Sequence, residues 1–250
     1  MSESRGRVRV EVGAKRVRTY LGGEVIADTI EPRLVWEIPH YPAYYLPVGD
    51  VRMDLLTPTG RTEHSPSRGD AEYFTVKAGD REAVDAAWRY PDSPLEELRD
   101  LVRFDWEAMD GWFEEDEPVI VHPRDPYSRV DTLHSSRHVE VFINGEKVAD
   151  SIHPTLLFET GLPARYYLPP TDVRQDLLRP SEKLTECPYK GTARHFSVEA
   201  GGELVEDIVW QYEAPLPESQ KIAGKLCFYN EKVDVVVDGV PEERPQTPFS

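Results

Sequence analysis

Between residues 139 and 151 apolar and polar positions alternate. Val139, Val141 and Ile143 are interleaved with Glu140 and Phe142, Asn144-Gly145 interrupts, and EKVAD resumes. A period of two predicts a strand with one buried face. Asn-Gly between two such runs predicts a type I′ hairpin, because both central residues need positive φ. Gly22-Gly23 holds the matching place earlier in the chain. Similar runs predict strands at 34–38, 73–76, 86–90, 156–160, 195–198 and 208–212, and a closing hairpin from 226–229 and 233–237 around Asn230-Glu231-Lys232. One helix signal intervenes: Ser93-Pro94-Leu95-Glu96 reads as a capping box with proline at the first helical position, and a shorter counterpart at 217–223 stops at Gly224. Twenty-two prolines, several beside strands, suit short strands joined by rigid turns.

These runs occur twice. Residues 16–90 laid over 138–212, a constant offset of 122, agree at 30 of 75 positions without a gap. GGEVIADTIEP falls on NGEKVADSIHP, YYLPVGDVRMDLL on YYLPPTDVRQDLL, and AAWRY on IVWQY. Beyond Tyr90 the offset drifts to 124, so that Phe104 meets Phe228 and Asp110 meets Asp234; length differences of this kind belong in loops. A duplicated domain is the simplest account. The expected division is a first repeat at 1–117, a linker at 118–136 and a second repeat at 137–250. Each repeat is expected to be a compact, mainly antiparallel β domain with one short helix.

Charge narrows the partners. The 29 lysines and arginines face 46 aspartates and glutamates, a net charge of −17, which repels phosphate backbones and anionic lipid and argues against nucleic-acid and membrane partners. No apolar run approaches the roughly 18 residues of a membrane span. Charges break up Met1 to Val12 where a signal peptide needs a continuous apolar segment, so a cytoplasmic location is expected. Cys187 and Cys227 make neither a disulfide framework nor a four-thiolate zinc site. Phosphate-loop, dinucleotide-fingerprint, serine-elbow and H-E-x-x-H patterns do not occur, which disfavours motif-bearing enzymes; no cofactor or metal is expected.

The second repeat strings together Ala149-Asp150-Ser151, Glu159, Tyr166-Tyr167-Leu168-Pro169, Asp172-Val173-Arg174, Cys187-Pro188-Tyr189-Lys190-Gly191, Trp210-Gln211-Tyr212 and Phe228-Tyr229. This series resembles the family known as domain of unknown function 427. The first repeat keeps Ala27-Asp28-Thr29, Glu37, Tyr44-Tyr45-Leu46-Pro47, Asp50-Val51-Arg52 and Trp88-Arg89-Tyr90, but has Ser65-Pro66-Ser67-Arg68-Gly69 in place of the cysteine-bearing turn. The resemblance covers nearly the whole chain. It implies a folded sheet of β-tent shape, shared with some small zinc proteins, here without zinc. The family sometimes carries a nucleotidyltransferase label, for which the sequence offers no independent support.

Several residues are candidates for chemistry. Proline fixes the backbone after Cys187 and glycine frees it at 191, so the turn can present Cys187, Tyr189 and Lys190 together. A neighbouring ammonium would favour the thiolate, against the commoner role of a lone cysteine as a small buried hydrophobe. Glu37 and Glu159 end apolar strands and need partners; Arg52 and Arg174 are the expected ones. With Tyr45 or Tyr167 and Trp88 or Trp210 as flat walls, such a pair would line a pocket. The expected ligand residues are Glu159, Tyr167, Arg174, Cys187, Lys190, His195 and Trp210, with Glu37, Tyr45, Arg52, Arg68 and Trp88 as first-repeat equivalents. The expected function is binding of a small polar or anionic molecule in the second repeat. Alternatives are an enzyme of transferase or hydrolase type using Cys187 or Lys190, and a protein-interaction scaffold. His134 and His138, the one i, i+4 histidine pair, read as exposed loop, and the seven acids of 105–117 as a solvated hairpin tip. Ligand identity and the choice between monomer and homodimer stay open.

Overall fold

The computed structural model describes residues 8–250; residues 1–7, part of the stretch that argued against a signal peptide, lie outside them. The chain divides into two compact units, Met1–Asp125 and Pro126–Ser250. No helix among the described residues is long and apolar enough to cross a membrane.

The first unit contains β1 (Arg9–Val12), β2 (Val17–Leu21), β3 (Glu24–Thr29), β4 (Arg33–Trp36), β5 (Ala43–Pro47), β6 (Leu56–Ser65), β7 (Gly69–Ala78), β8 (Arg81–Arg89), β9 (Leu101–Phe104), β10 (Gly111–Glu114) and β11 (Glu117–Pro118). The second repeats the series as β12 (Val130–His134), β13 (Val139–Ile143), β14 (Glu146–Ser151), β15 (Thr155–Glu159), β16 (Arg165–Leu168), β17 (Leu178–Cys187), β18 (Gly191–Ala200), β19 (Glu203–Gln211), β20 (Leu226–Phe228), β21 (Asp234–Val237) and β22 (Val240–Pro241). Each unit has a seven-stranded sheet, ordered β1, β4, β5, β9, β8, β7, β6 and β12, β15, β16, β20, β19, β18, β17, and a four-stranded one, ordered β11, β10, β2, β3 and β14, β13, β21, β22. The fold is mainly β and tandem, as the duplication predicts. Asn144 and Gly145 take φ of 51° and 79°, and Gly22 and Gly23 take 58° and 77°, the paired left-handed conformations of the expected turns.

Side-chain alternation gives the large sheet two buried faces. In the first unit Tyr44, Leu46, Phe74 and Val76 join Val17, Leu21 and Ile26 of the small sheet in one core. Tyr45, one residue out of phase with Tyr44, packs on the outer face with Val35, Ala71, Tyr90, Leu98 and Leu101. The second unit divides Tyr166 and Tyr167 in the same way. The A-D-[ST] and D-V segments hold each other: the Thr29 hydroxyl donates to Asp50 at 2.6 Å, as Ser151 does to Asp172.

Several expectations need correction. β12 lies inside the stretch expected as linker and pairs with β15, so that residue run belongs to the second unit's large sheet and His134 is on a strand. β20 and β21 form no hairpin; they lie in different sheets, and Asn230 and Glu231, both buried, sit where the chain crosses between them. Gly111 pairs with Tyr20 as Asp234 pairs with Phe142, so the last strands are offset by 123 and Asp110 does not meet Asp234. The helix signals give only 3-10 turns, Glu96–Leu98 and Pro217–Ile222; Ser93 does accept the Leu95 N–H at 3.1 Å, but proline-rich flanks stop propagation. Strands β6 and β17 went unforeseen because LTPTGRTEHS and LRPSEKLTEC do not alternate: they are sheet edges with mostly exposed side chains. Nor is 105–117 a solvated tip throughout, for Met109 and Trp112 are buried.

Candidate functional site

The outer face of each large sheet concentrates the charged and aromatic motif residues. In the first unit Glu37 follows β4 and its carboxylate accepts from three donors: Tyr45 Oη, Arg103 at 2.5 Å and, more loosely, Arg68 at 3.4 Å. The Arg103 guanidinium lies 4.7 Å from the Trp88 ring centroid and 5.9 Å from that of Tyr45, placements in which cation and aromatic face attract. Arg68 Nε donates to Tyr90 Oη at 3.2 Å. Burial, followed by the Glu37 charge, holds the Tyr45 phenol well above its ordinary pKa, so it acts as a hydrogen donor. Two guanidinium groups thus share one carboxylate, and the side chains of Glu37, Arg68 and Arg103 remain 14%, 17% and 26% exposed.

The second unit carries different chemistry on the same frame. Gly191, with φ of 96°, closes the C-P-Y-K-G turn, and Lys190 N–H donates to Cys187 O at 3.2 Å. Lys190 Nζ reaches Glu159 Oε2 at 2.5 Å, both side chains being about nine-tenths buried. Burial works against the ammonium, but Cys187 and Glu159 outweigh it and raise the Lys190 pKa. The turn is clasped by the next 3-10 segment, where Leu216 N–H donates to Lys190 O at 3.1 Å and Ser219 Oγ to Tyr189 O at 3.4 Å. Trp210 Nε1 donates to Tyr167 Oη at 3.0 Å. Cys227, fully buried where the first unit has Arg103, has its thiol pushed up to about 12 by burial. Arg165 and Glu231 form a buried bidentate pair at 2.6 Å, and Asn230 also accepts from the guanidinium. Burial opposes the Glu231 charge, yet hydrogen bonds from Arg165 and Thr247 bring its pKa down to about 2.

Of the sequence-predicted residues, Glu159, Cys187 and Lys190 come together, as do Tyr167 and Trp210. His195 shares their sheet face and is fully buried, its Nε2 2.8 Å from Thr185 Oγ1; burial, then the Lys183 charge, lowers its pKa. Arg174 and Arg52 do not join. Each sits between 3-10 turns, half exposed, and its fork closes on the aspartate two residues on, Asp176 or Asp54. The expected Glu–Arg pairs are therefore replaced by Glu159–Lys190 and Glu37–Arg103. Arg103, Arg165 and Glu231 were missed because their partners are 66 residues away in sequence.

A family model described as a domain of unknown function (DUF427) matches residues 9–115 and again residues 131–239. The chain belongs to the DUF427 family. Both DUF427 domains carry the glutamate, the tyrosine pair and the W-x-Y strand on the frame just described, and they differ at the cationic corner. The second match begins within β12, in accord with that strand belonging to the second domain. No curated protein matches the sequence.

Proposed function

We propose that this tandem DUF427 protein binds a small anionic ligand, and that the outer face of the first domain is the binding face. The reading rests on charge balance. Arg68 and Arg103 converge on the single carboxylate of Glu37, leaving one cationic group in excess beside Trp88, Tyr45 and Tyr90. A guanidinium is suited to planar carboxylate or phosphate groups, and the neighbouring rings suit a flat ligand body. In the second domain each buried cation has its own carboxylate, so binding an anion there would require an ion pair to open. The site expected in the second domain from its C-P-Y-K-G turn is thus reassigned to the first.

The test is a thermal-shift series on the full chain with benzoate and inorganic phosphate, against Arg68→Met and Lys190→Met. A ligand at ten times its Kd stabilises the native state by about 1.4 kcal/mol and raises Tm. The expected result is a rise in wild type and in Lys190→Met that disappears in Arg68→Met; a rise retained in Arg68→Met overturns the assignment.

A thiol enzyme is the second reading, favoured by one observation: Cys187 is partly accessible and beside Lys190, while Cys227 is buried. It requires iodoacetamide near neutral pH to label Cys187 well ahead of Cys227 and ahead of Cys187 in Lys190→Met. A Cys187 rate unchanged by that substitution removes the ammonium's role.

A further inference from the structure

A cavity of about 260 Å³ opens in the first domain, between the start of β5 and the loop after β9. Its walls are largely aromatic. Trp106 and Trp112 stack at 4.9 Å between centroids and 3° between planes, Tyr44 lies 5.7 Å from Trp112, and Tyr41 stacks on His122 at 3.8 Å. Ligand pockets usually begin near 300 Å³, so the space suits a guest of a few heavy atoms. Val121, at the rim, takes a φ of 68°, a left-handed conformation that a β-branched residue adopts only under constraint, and such strain gathers at binding sites.

The charges point to the sign of the guest. Three charged side chains border the cavity: Arg103, Asp105 and Glu107. Arg103 is bound to Glu37, whereas neither Asp105 nor Glu107 forms an ion pair with a described residue. At His122 burial lowers the pKa, outweighing the Nδ1 contact with the Pro123 carbonyl oxygen at 2.7 Å, which acts the other way.

The second domain identifies the kind of cation. Ala43 pairs with Val35 as Arg165 pairs with Leu157, so alanine and arginine occupy the same strand position. Glu107 and Glu231 each follow their Phe104 or Phe228 by three residues. In the second domain the corner is filled from within: the Arg165 guanidinium lies 5.5 Å from the Trp210 centroid and is gripped bidentately by Glu231. The first domain keeps an acid at the same step from phenylalanine but replaces the arginine with alanine. Arg103 covers Trp88, the counterpart of Trp210, and the cavity bordered by Ala43 and Glu107 takes Tyr44, Trp106 and Trp112 as its aromatic wall. We infer that the first domain binds a small planar organic cation of the guanidinium type in this cavity, with Glu107 meeting it as Glu231 meets Arg165.

Methylguanidinium and its neutral isostere methylurea, titrated against the full chain up to about 10 mM while tryptophan fluorescence is followed, test this, because Kd values near 1 mM are then resolved. Saturable binding of methylguanidinium at least tenfold tighter than methylurea is expected. Glu107→Gln, at an exposed side chain that leaves folding intact, should weaken it by about tenfold, the effect of losing one charge-assisted hydrogen bond. Ala43→Arg should abolish it by supplying the guanidinium covalently; if that variant fails to fold, Glu107→Gln alone decides. Absence of saturation, equal response to methylurea, or unchanged affinity in Glu107→Gln each overturns the inference.

Discussion

On the outer face of the first domain Glu37 faces Arg68 and Arg103, all three partly open to solvent. On that of the second, Lys190 pairs with Glu159 and Arg165 with Glu231, and the latter carboxylate is wholly buried. The frame beneath is the same: eleven strands in matching order, the same tyrosine doublet divided between two cores, the same Trp on the eighth strand of the series. Backbone hydrogen bonding and apolar alternation fix that frame and tolerate changes in whichever polar side chain decorates it. Charge neutrality inside a low-dielectric site is a separate requirement, met in one copy by pairing within the chain and in the other only partly. The difference teaches that duplication preserved architecture while releasing the cationic corner.

Four measurements press on this comparison. The largest effect is expected at the buried pair: Glu231→Ala leaves the Arg165 charge without its carboxylate and should destabilise the second domain by about 3–5 kcal/mol, read as faster amide exchange in its strands with the first domain unaffected. The same pair sets an acid dependence. The folded pKa of Glu231 is about 2, below the 4.5 of an ordinary carboxyl, so its stabilisation is complete above roughly pH 4.5 and is lost as pH falls toward 2. Protection against exchange in the second domain, taken relative to the intrinsic rate at each pH, should therefore fall over that window, and the fall should be blunted in Glu231→Gln. An intermediate effect is expected in the first domain, where Glu37→Gln leaves two like charges sharing a neutral amide. A loss of about 1–3 kcal/mol, partly recovered by added salt or benzoate, would mark that corner as electrostatically loaded. The smallest belongs to Arg174→Ala and Arg52→Ala, whose half-exposed forks hold a neighbouring aspartate and, for Arg174, Glu146 loosely at 3.8 Å; urea midpoints should move by no more than the equivalent of about 0.5 kcal/mol. A large loss in either would mean that the D-V-R segment does more than turn the chain.

The outer-face residues on motifs were legible one at a time. The C-P-Y-K-G turn could be seen to bring Cys187 and Lys190 together because five residues with fixed proline and free glycine leave little choice of geometry. Glu159 and Glu37 could be seen to need cations, since an acid ending an apolar strand cannot stay unpaired. Which cations they receive was not legible: the arginine on the nearest motif turns out to face its own aspartate, and Arg103 arrives from a strand that carries no motif. The aromatic cavity was hidden as well, because Ala43 signals nothing until its counterpart is seen as Arg165 filling a corner beside Glu231.

The sequence by itself determined the duplication, the β class and the I′ turns, for these follow from local periodicity and from the few residues able to take positive φ. Tertiary structure decided which distant charges meet, that β20 and β21 part to different sheets, and where a hollow remains. Those outcomes depend on strand order and on the volume of side chains brought together across thirty or more residues, which no local pattern encodes.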